Sequence, residues 1–163
     1  MTIDWITAAW FLPFVVPITI WVSWSDMATM KIPNKAVLAL MAVFVVIGLF
    51  ALEFTEYLWR YLHWLVIFAL GFVAASIGMM GAGDAKYAAA MAPFVALSDV
   101  SVFLILLAGT IIAAFVLHRL ARRTPAIRNR FPDWVSWTDR AFPMGFALAP
   151  ALMFYLLIGL FGS

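Results

Sequence analysis

The chain has 163 residues, 67 % of them hydrophobic and 11 % charged, with no cysteine and a formal net charge of +2. A soluble domain is roughly 45–50 % apolar and about 25 % charged; a single globule of this size cannot hide so much apolar side chain from water, which excludes that class. The missing cysteines exclude disulfides, thiolate metal sites and cysteine nucleophiles, and the small net charge gives a nucleic-acid partner no support.

The composition predicts an all-α integral membrane protein, since six helices of about 20 residues would use roughly 120 residues. The first apolar run, residues 5–24, follows Met1-Thr2-Ile3-Asp4 with no basic segment and no cleavage site, so it reads as a retained span. Polar residues 25–35 separate it from a second run, 36–52. A short loop over 53–60 leads to the third run, 62–80. Gly81-Ala82-Gly83-Asp84 breaks the pattern before a short fourth run, 85–97. Ser98-Asp99 makes a tight turn, and the fifth run covers 101–117. Residues 118–140 form a polar, basic connection, and the sixth run covers 143–161. These runs form one membrane-embedded domain over residues 1–163, with neither an internal repeat nor a second, soluble domain.

Alternating the six runs across a bilayer puts nine of the ten basic residues on one face and leaves Arg60 alone on the other. The positive-inside rule makes the basic face cytoplasmic and puts both termini outside. Trp5, Trp24, Tyr57, Trp59, Tyr61 and Trp64 cluster near run ends, as an interfacial aromatic belt does. The longest connection, 121–141, reads as a basic loop on the inner headgroup surface that holds orientation, with substrate recruitment as the alternative.

Of the eight acids, Asp4, Glu53, Glu56 and Asp99 fall on the outer side near span ends, and Asp133 and Asp139 fall in the basic loop. Asp26 and Asp84 remain, both near cytoplasmic ends of spans, where a carboxylate is costly unless paired or hydrated. Position alone leaves two boundary charges as the plainer reading, and the neighbouring residues shift it. Gly81 and Gly83 bare the backbone directly before Asp84, and irregular backbone at membrane depth survives only against protein or a wet cavity. Pro33 and Asn34 end one helical segment and start the next, fixing a hairpin with Asp26 near its inner rim.

Asp26-x4-Lys31-Ile32-Pro33-Asn34, then Gly81-Ala82-Gly83-Asp84-Ala85-Lys86, then Pro143-Met144-Gly145 near the last span, resemble the type IV prepilin peptidases, intramembrane aspartyl proteases of the GxGD class. The resemblance covers essentially the whole chain. It implies the six-helix GxGD fold, with Asp26 and Asp84 as catalytic acids. Gly81, Gly83, Lys86, Lys31, Pro33, Asn34, Pro143 and Gly145 would then bind substrate or shape the site. It also implies a prepilin or pseudopilin substrate with a short basic leader, cut at the cytoplasmic face of a bacterial inner membrane. Larger members carry a cysteine zinc domain associated with N-methylation. A chain with no cysteine looks instead like the short, peptidase-only form of tight-adherence (Flp) pilus systems. Lys31 stands where arginine is common.

A carboxylate dyad needs one ionised acid to take a proton from water and one protonated acid to polarise the scissile carbonyl. Asp84 begins a helix and Asp26 lies near a helix C-terminus, which assigns the base to Asp84 and the donor to Asp26. The bare backbone at Gly81 and Gly83 offers an edge to an extended substrate. Lys86, two residues from Asp84, points elsewhere on the helix and reads as an interface anchor, with a role in tuning the site as the alternative.

His63 and His118 fall on opposite faces and read as interfacial residues that cannot share a metal; an aspartyl mechanism calls for no metal or other cofactor. Met79, Met80 and Met91 read as lipid- or core-packing residues, and Pro13, Pro17, Pro93 and Pro150 as bends. Ser76 and Ser98 have no base nearby in the sequence. The rival classes are a small proton-coupled transporter, which would show midplane acids and matching halves, and an inactive scaffold of the same fold. The acids at one rim and the unmatched halves count against the transporter.

Overall fold

The computed structural model describes residues 3–162, and every regular element in them is helical. The helices are α1 (Trp5–Thr29), α2 (Asn34–Ala51), α3 (Phe54–Ser76), α4 (Ala82–Met91), α5 (Val100–Arg123), α6 (Pro125–Arg130) and α7 (Gly145–Phe161), with short 3₁₀ turns at Ala92–Phe94, Leu97–Asp99 and Val135–Trp137. Four segments are long and apolar enough to cross a bilayer: α1, α2, α3 and Leu97–Arg123. α7 is a shorter apolar helix. The protein is thus all-helical and membrane-embedded, and two of the six expected spans, the fourth and the sixth, fall below spanning length as helices.

Local chemistry accounts for the element boundaries. Asp4 Oδ1 accepts from the Thr7 amide at 2.9 Å and caps α1, a favoured N-cap arrangement. Pro13 and Pro17 lie inside α1, and Pro150 inside α7, without ending either helix. α1 ends at Met30, which takes the left-handed conformation at φ 55° while its amide bonds the Asp26 carbonyl. That conformation is uncommon for a side chain of this size. Ser25 Oγ donates to the Lys31 carbonyl at 3.0 Å and closes the same turn. Pro33 then caps α2, as its fixed φ allows.

α1 packs chiefly against α7 and α2, α3 against α4, and α5 against α7. α4 touches α2, α3 and α7, and so lies inside the helical array. Phe11, Phe44 and Phe94 form the aromatic centre of the core: Phe94 meets Phe11 edge-on at 4.9 Å and Phe44 at 5.5 Å. The outward faces of α3 and α5 are apolar and uncovered: Leu70, Phe72, Ile105 and Ile112 are all exposed, as residues bathed in lipid are.

Several sequence expectations are corrected. The segment 53–60 is not a loop: α3 begins at Phe54, so Glu56, Tyr57 and Arg60 are helical. Arg60 is buried. It bonds Glu56 Oε1 through Nε at 3.1 Å and through Nη2 at 2.6 Å, and the Pro93 carbonyl through Nη1 at 3.0 Å. Pro93 does not bend a helix running to 97; α4 stops at Met91, and Pro93 sits in the 3₁₀ turn beyond it. His118, near the end of α5, is buried within the protein, stacked on Trp137 at 5.6 Å with Phe142 edge-on. Of the two packing roles expected of Met79, core and lipid, its 77 % exposure excludes the core.

Candidate active site

Three sequence-distant segments meet where α1 ends, α4 begins and α7 begins. Asp26, in the last turn of α1, is buried. Its Oδ2 accepts from the Gly145 amide at 2.6 Å, and the Phe146 amide also faces it. The N-cap residue Met144 offers no side-chain cap to α7, so the Asp26 carboxylate supplies the acceptor for the Gly145 amide at that helix start. The close approach requires glycine at 145: a Cβ there would lie 3.0 Å from Asp26 Oδ2 and from two carbons of Ile32.

Asp84 is the third residue of α4, and its carboxylate turns back on the Gly81 amide that precedes the helix, the geometry of a capping box. A Cβ on Gly81 would lie 2.7 Å from Asp84 Oδ2, so the first glycine leaves room for the carboxylate to fold back. The Asp84 and Asp26 carboxylates interact electrostatically. Both acids therefore sit at the start of a helix, Asp84 on its own and Asp26 on α7. Asp26 meets the N-terminus of α7 as well as the C-terminus of α1, which narrows the dipole difference expected to separate base from donor.

Ile32 ties the three segments together. It is buried; a Cβ on Gly83 would touch its Cβ at 3.6 Å, and one on Gly145 would meet its Cγ1 and Cδ1 at 3.0 Å. Lys86 Nζ bonds Asn34 Oδ1 at 3.5 Å, joining the start of α4 to the start of α2. Pro143 is buried, and its carbonyl accepts from the Phe146 amide at 3.2 Å. Lys31 contributes its carbonyl to the hairpin through Ser25 while its side chain is exposed, and Pro33 caps α2 half-buried. Lys31 and Pro33 thus shape the hairpin, whereas Asp26, Gly145, Gly83, Asp84 and Gly81 line the junction itself.

Residues 13–117 match the type IV leader peptidase family. The chain belongs to that family. The matched segment contains both acids with their flanking motifs and ends before Pro143 and α7. Membership makes this leader peptidase family member a peptidase of a membrane-embedded class that acts on prepilin-type substrates. Comparison with curated proteins and with solved structures finds no match.

Sequence reading missed a second polar cluster. Asp99 is buried; its Oδ2 accepts from the Ile3 amide at 3.1 Å and from the Tyr155 hydroxyl at 3.0 Å. Tyr155 in turn accepts from the Ala96 amide at 3.2 Å. This cluster fastens α7 to the turn that follows α4. Tyr87, one turn beyond Asp84, is fully buried, with no partner for its hydroxyl among the described residues. Its place one turn from Asp84 on α4 was the available signal. Among the described residues no group of three His, Asp or Glu side chains gathers as a metal site would need.

Proposed function

We propose that the protein is an intramembrane aspartyl endopeptidase that removes the short basic leader from prepilins or pseudopilins, with Asp26 and Asp84 as its catalytic dyad. The observation that carries the reading is the convergence of three segments. The Gly145 amide bonds Asp26, Ile32 packs between Gly83 and Gly145, and the two carboxylates lie within electrostatic reach.

Two carboxylates that interact share a proton and titrate as a pair. The ionised partner takes a proton from water while the protonated partner polarises the scissile carbonyl. The water oxygen bonds to the carbonyl carbon. The proton taken from it then passes to the leaving amine as the C–N bond breaks. Gly145 holds one carboxylate in place, and the bare backbone before Asp84 lets an extended peptide approach. The distribution of basic residues favours a six-span arrangement with both termini outside and the dyad facing the cytoplasm, where a basic leader would reside. The proposed setting is a bacterial inner membrane and the proposed pilus system the tight-adherence type; the proposal is confined to peptide cleavage.

The test is incubation of the purified full chain in lipid with a synthetic prepilin, followed by mass measurement. A single cut at the leader–helix junction is the expected result. An intact substrate under conditions where the protein is folded would overturn the reading.

A further inference from the structure

An apolar groove of about 380 Å³ runs between α1 and α7. Ser23, Trp24 and Met27 form one wall, Phe146 and Met153 the other, and Trp134 from the connection before α7 closes one end. The Thr19 hydroxyl in its floor is spent on the Val16 carbonyl at 2.8 Å, so the lining presents hydrocarbon. The Trp134 end is rigidly built. Trp24 meets Trp134 edge-on at 5.0 Å and Phe131 at 5.3 Å, Phe131 stacks on Trp134 at 4.5 Å, and Trp137 Nε1 donates to the Phe131 carbonyl at 2.7 Å.

Directly beyond this aromatic end the Arg130 guanidinium lies over the Phe131 ring, 5.7 Å from its centroid. Arg128 and Arg140, from the same connection, are exposed as well. Among the described residues no carboxylate pairs with these three arginines. Asp139, the acid beside Arg140, turns its Oδ1 to the Ala141 amide at 2.8 Å. A hydrocarbon slot is thus joined by contact to an aromatic cluster at Trp134 and Phe131, and that cluster to the Arg130 guanidinium.

We propose that this groove is a binding site for one anionic phospholipid, with an acyl chain between α1 and α7 and the phosphate at Arg130. The charge order matches a lipid: apolar tail, interfacial aromatic level, anionic head. A basic peptide would meet like charge at the same end. The reading depends on the protein's being membrane-embedded and not on the identity of the catalytic dyad.

The test uses the delipidated full chain in detergent, titrated with phosphatidylglycerol or phosphatidylcholine and followed by native mass spectrometry. Wild type binds one phosphatidylglycerol about fivefold more tightly than phosphatidylcholine, the preference that one basic side chain confers near an anionic head. R130Q reduces that ratio to about one while R130K keeps most of it. Ser23→Trp, which fills the slot, weakens both lipids. Millimolar glycerol 3-phosphate, a head without a tail, leaves the lipid bound. Retention of the full preference in R130Q overturns the headgroup assignment. Unchanged binding in Ser23→Trp, or displacement by glycerol 3-phosphate, overturns the acyl-chain seat. R130Q alters an exposed side chain, so it reports even where the groove variant fails to fold.

Discussion

Gly145 and Asp26 are 119 residues apart in the chain, yet the amide of one lies 2.6 Å from the carboxylate of the other. The contact holds the end of α1 against the start of α7 with a charge-assisted bond, worth roughly 1.5–3 kcal/mol. Gly145→Ala keeps the amide but puts a methyl 3.0 Å from Oδ2 and Ile32. We expect about 10–100-fold lower cleavage, with the membrane level of the protein unchanged. Gly83→Ala, whose methyl would meet Ile32 at an ordinary 3.6 Å, serves as the control and should stay within about threefold of wild type, since a contact at that distance forces no side chain to move. Gly83→Val adds bulk against the same residue and should impair cleavage. Initial rates on a synthetic prepilin decide, and equal losses in Gly145→Ala and Gly83→Ala would refute the distinction.

Asp26→Asn and Asp84→Asn should each abolish turnover, since a positioned acid or base contributes roughly 10²–10⁴-fold and an amide can neither hold nor take the shared proton. Both variants should still insert and bind substrate. Product mass after prolonged incubation is the readout, and substantial cleavage by either variant would remove that residue from the dyad.

Gly81→Ala separates site shape from stability. Its methyl would displace the Asp84 carboxylate from its turned-back position. The clash is with the far end of a rotatable side chain, so the fold should tolerate it. Cleavage should fall by about tenfold or more, while the melting temperature in detergent moves little, because outside cores and special backbone sites most substitutions stay within about 0.5 kcal/mol. A large drop in melting temperature without loss of specific activity would count against this role for Gly81.

Tyr155→Phe removes the hydroxyl that bridges Asp99 and the Ala96 amide. A buried acceptor and a buried donor each lose a partner, which costs about 1–3 kcal/mol. Thermal unfolding of the detergent-solubilised protein should show the loss, and initial rates at low temperature should be nearly normal.

The cysteine-free chain is suited to topology mapping with single introduced thiols. A cysteine at Ala82 or Arg128 should react with a membrane-impermeant maleimide only from the cytoplasmic side, and one at Glu53 only from the opposite side. Labelling of positions 82 and 53 from the same side would overturn the six-span arrangement.

The family was legible because its signal is local. Asp26 with Lys31–Asn34, and Gly81–Asp84 with Lys86, are short segments whose spacing survives without knowledge of the fold, and the family match falls over both. The helical, membrane-embedded character was legible from apolar runs alone. Contacts set by tertiary packing were not legible. Nothing in the sequence announces that Arg60 turns inward to the Pro93 carbonyl, because an arginine beside a run end reads as a solvated anchor. The burial of Asp99 was hidden for the same reason: the donors that satisfy it, Ile3 and Tyr155, come from the two ends of the chain. The assignment of base and donor used only the helix each acid belongs to. The second helix start facing Asp26 belongs to α7.

Ten residues make α4 about 15 Å long, half the roughly 30 Å depth of a bilayer's hydrocarbon layer. A helix so truncated, enclosed by α2, α3 and α7 and carrying an acid in its opening turn, starts partway through the bilayer. Water drawn down to Asp84 offsets the cost of a carboxylate at that depth. Bilayer thickness thereby becomes a variable that acts on hydrolysis: thicker membranes should slow it by burying the acid more deeply, and thinner ones should favour it.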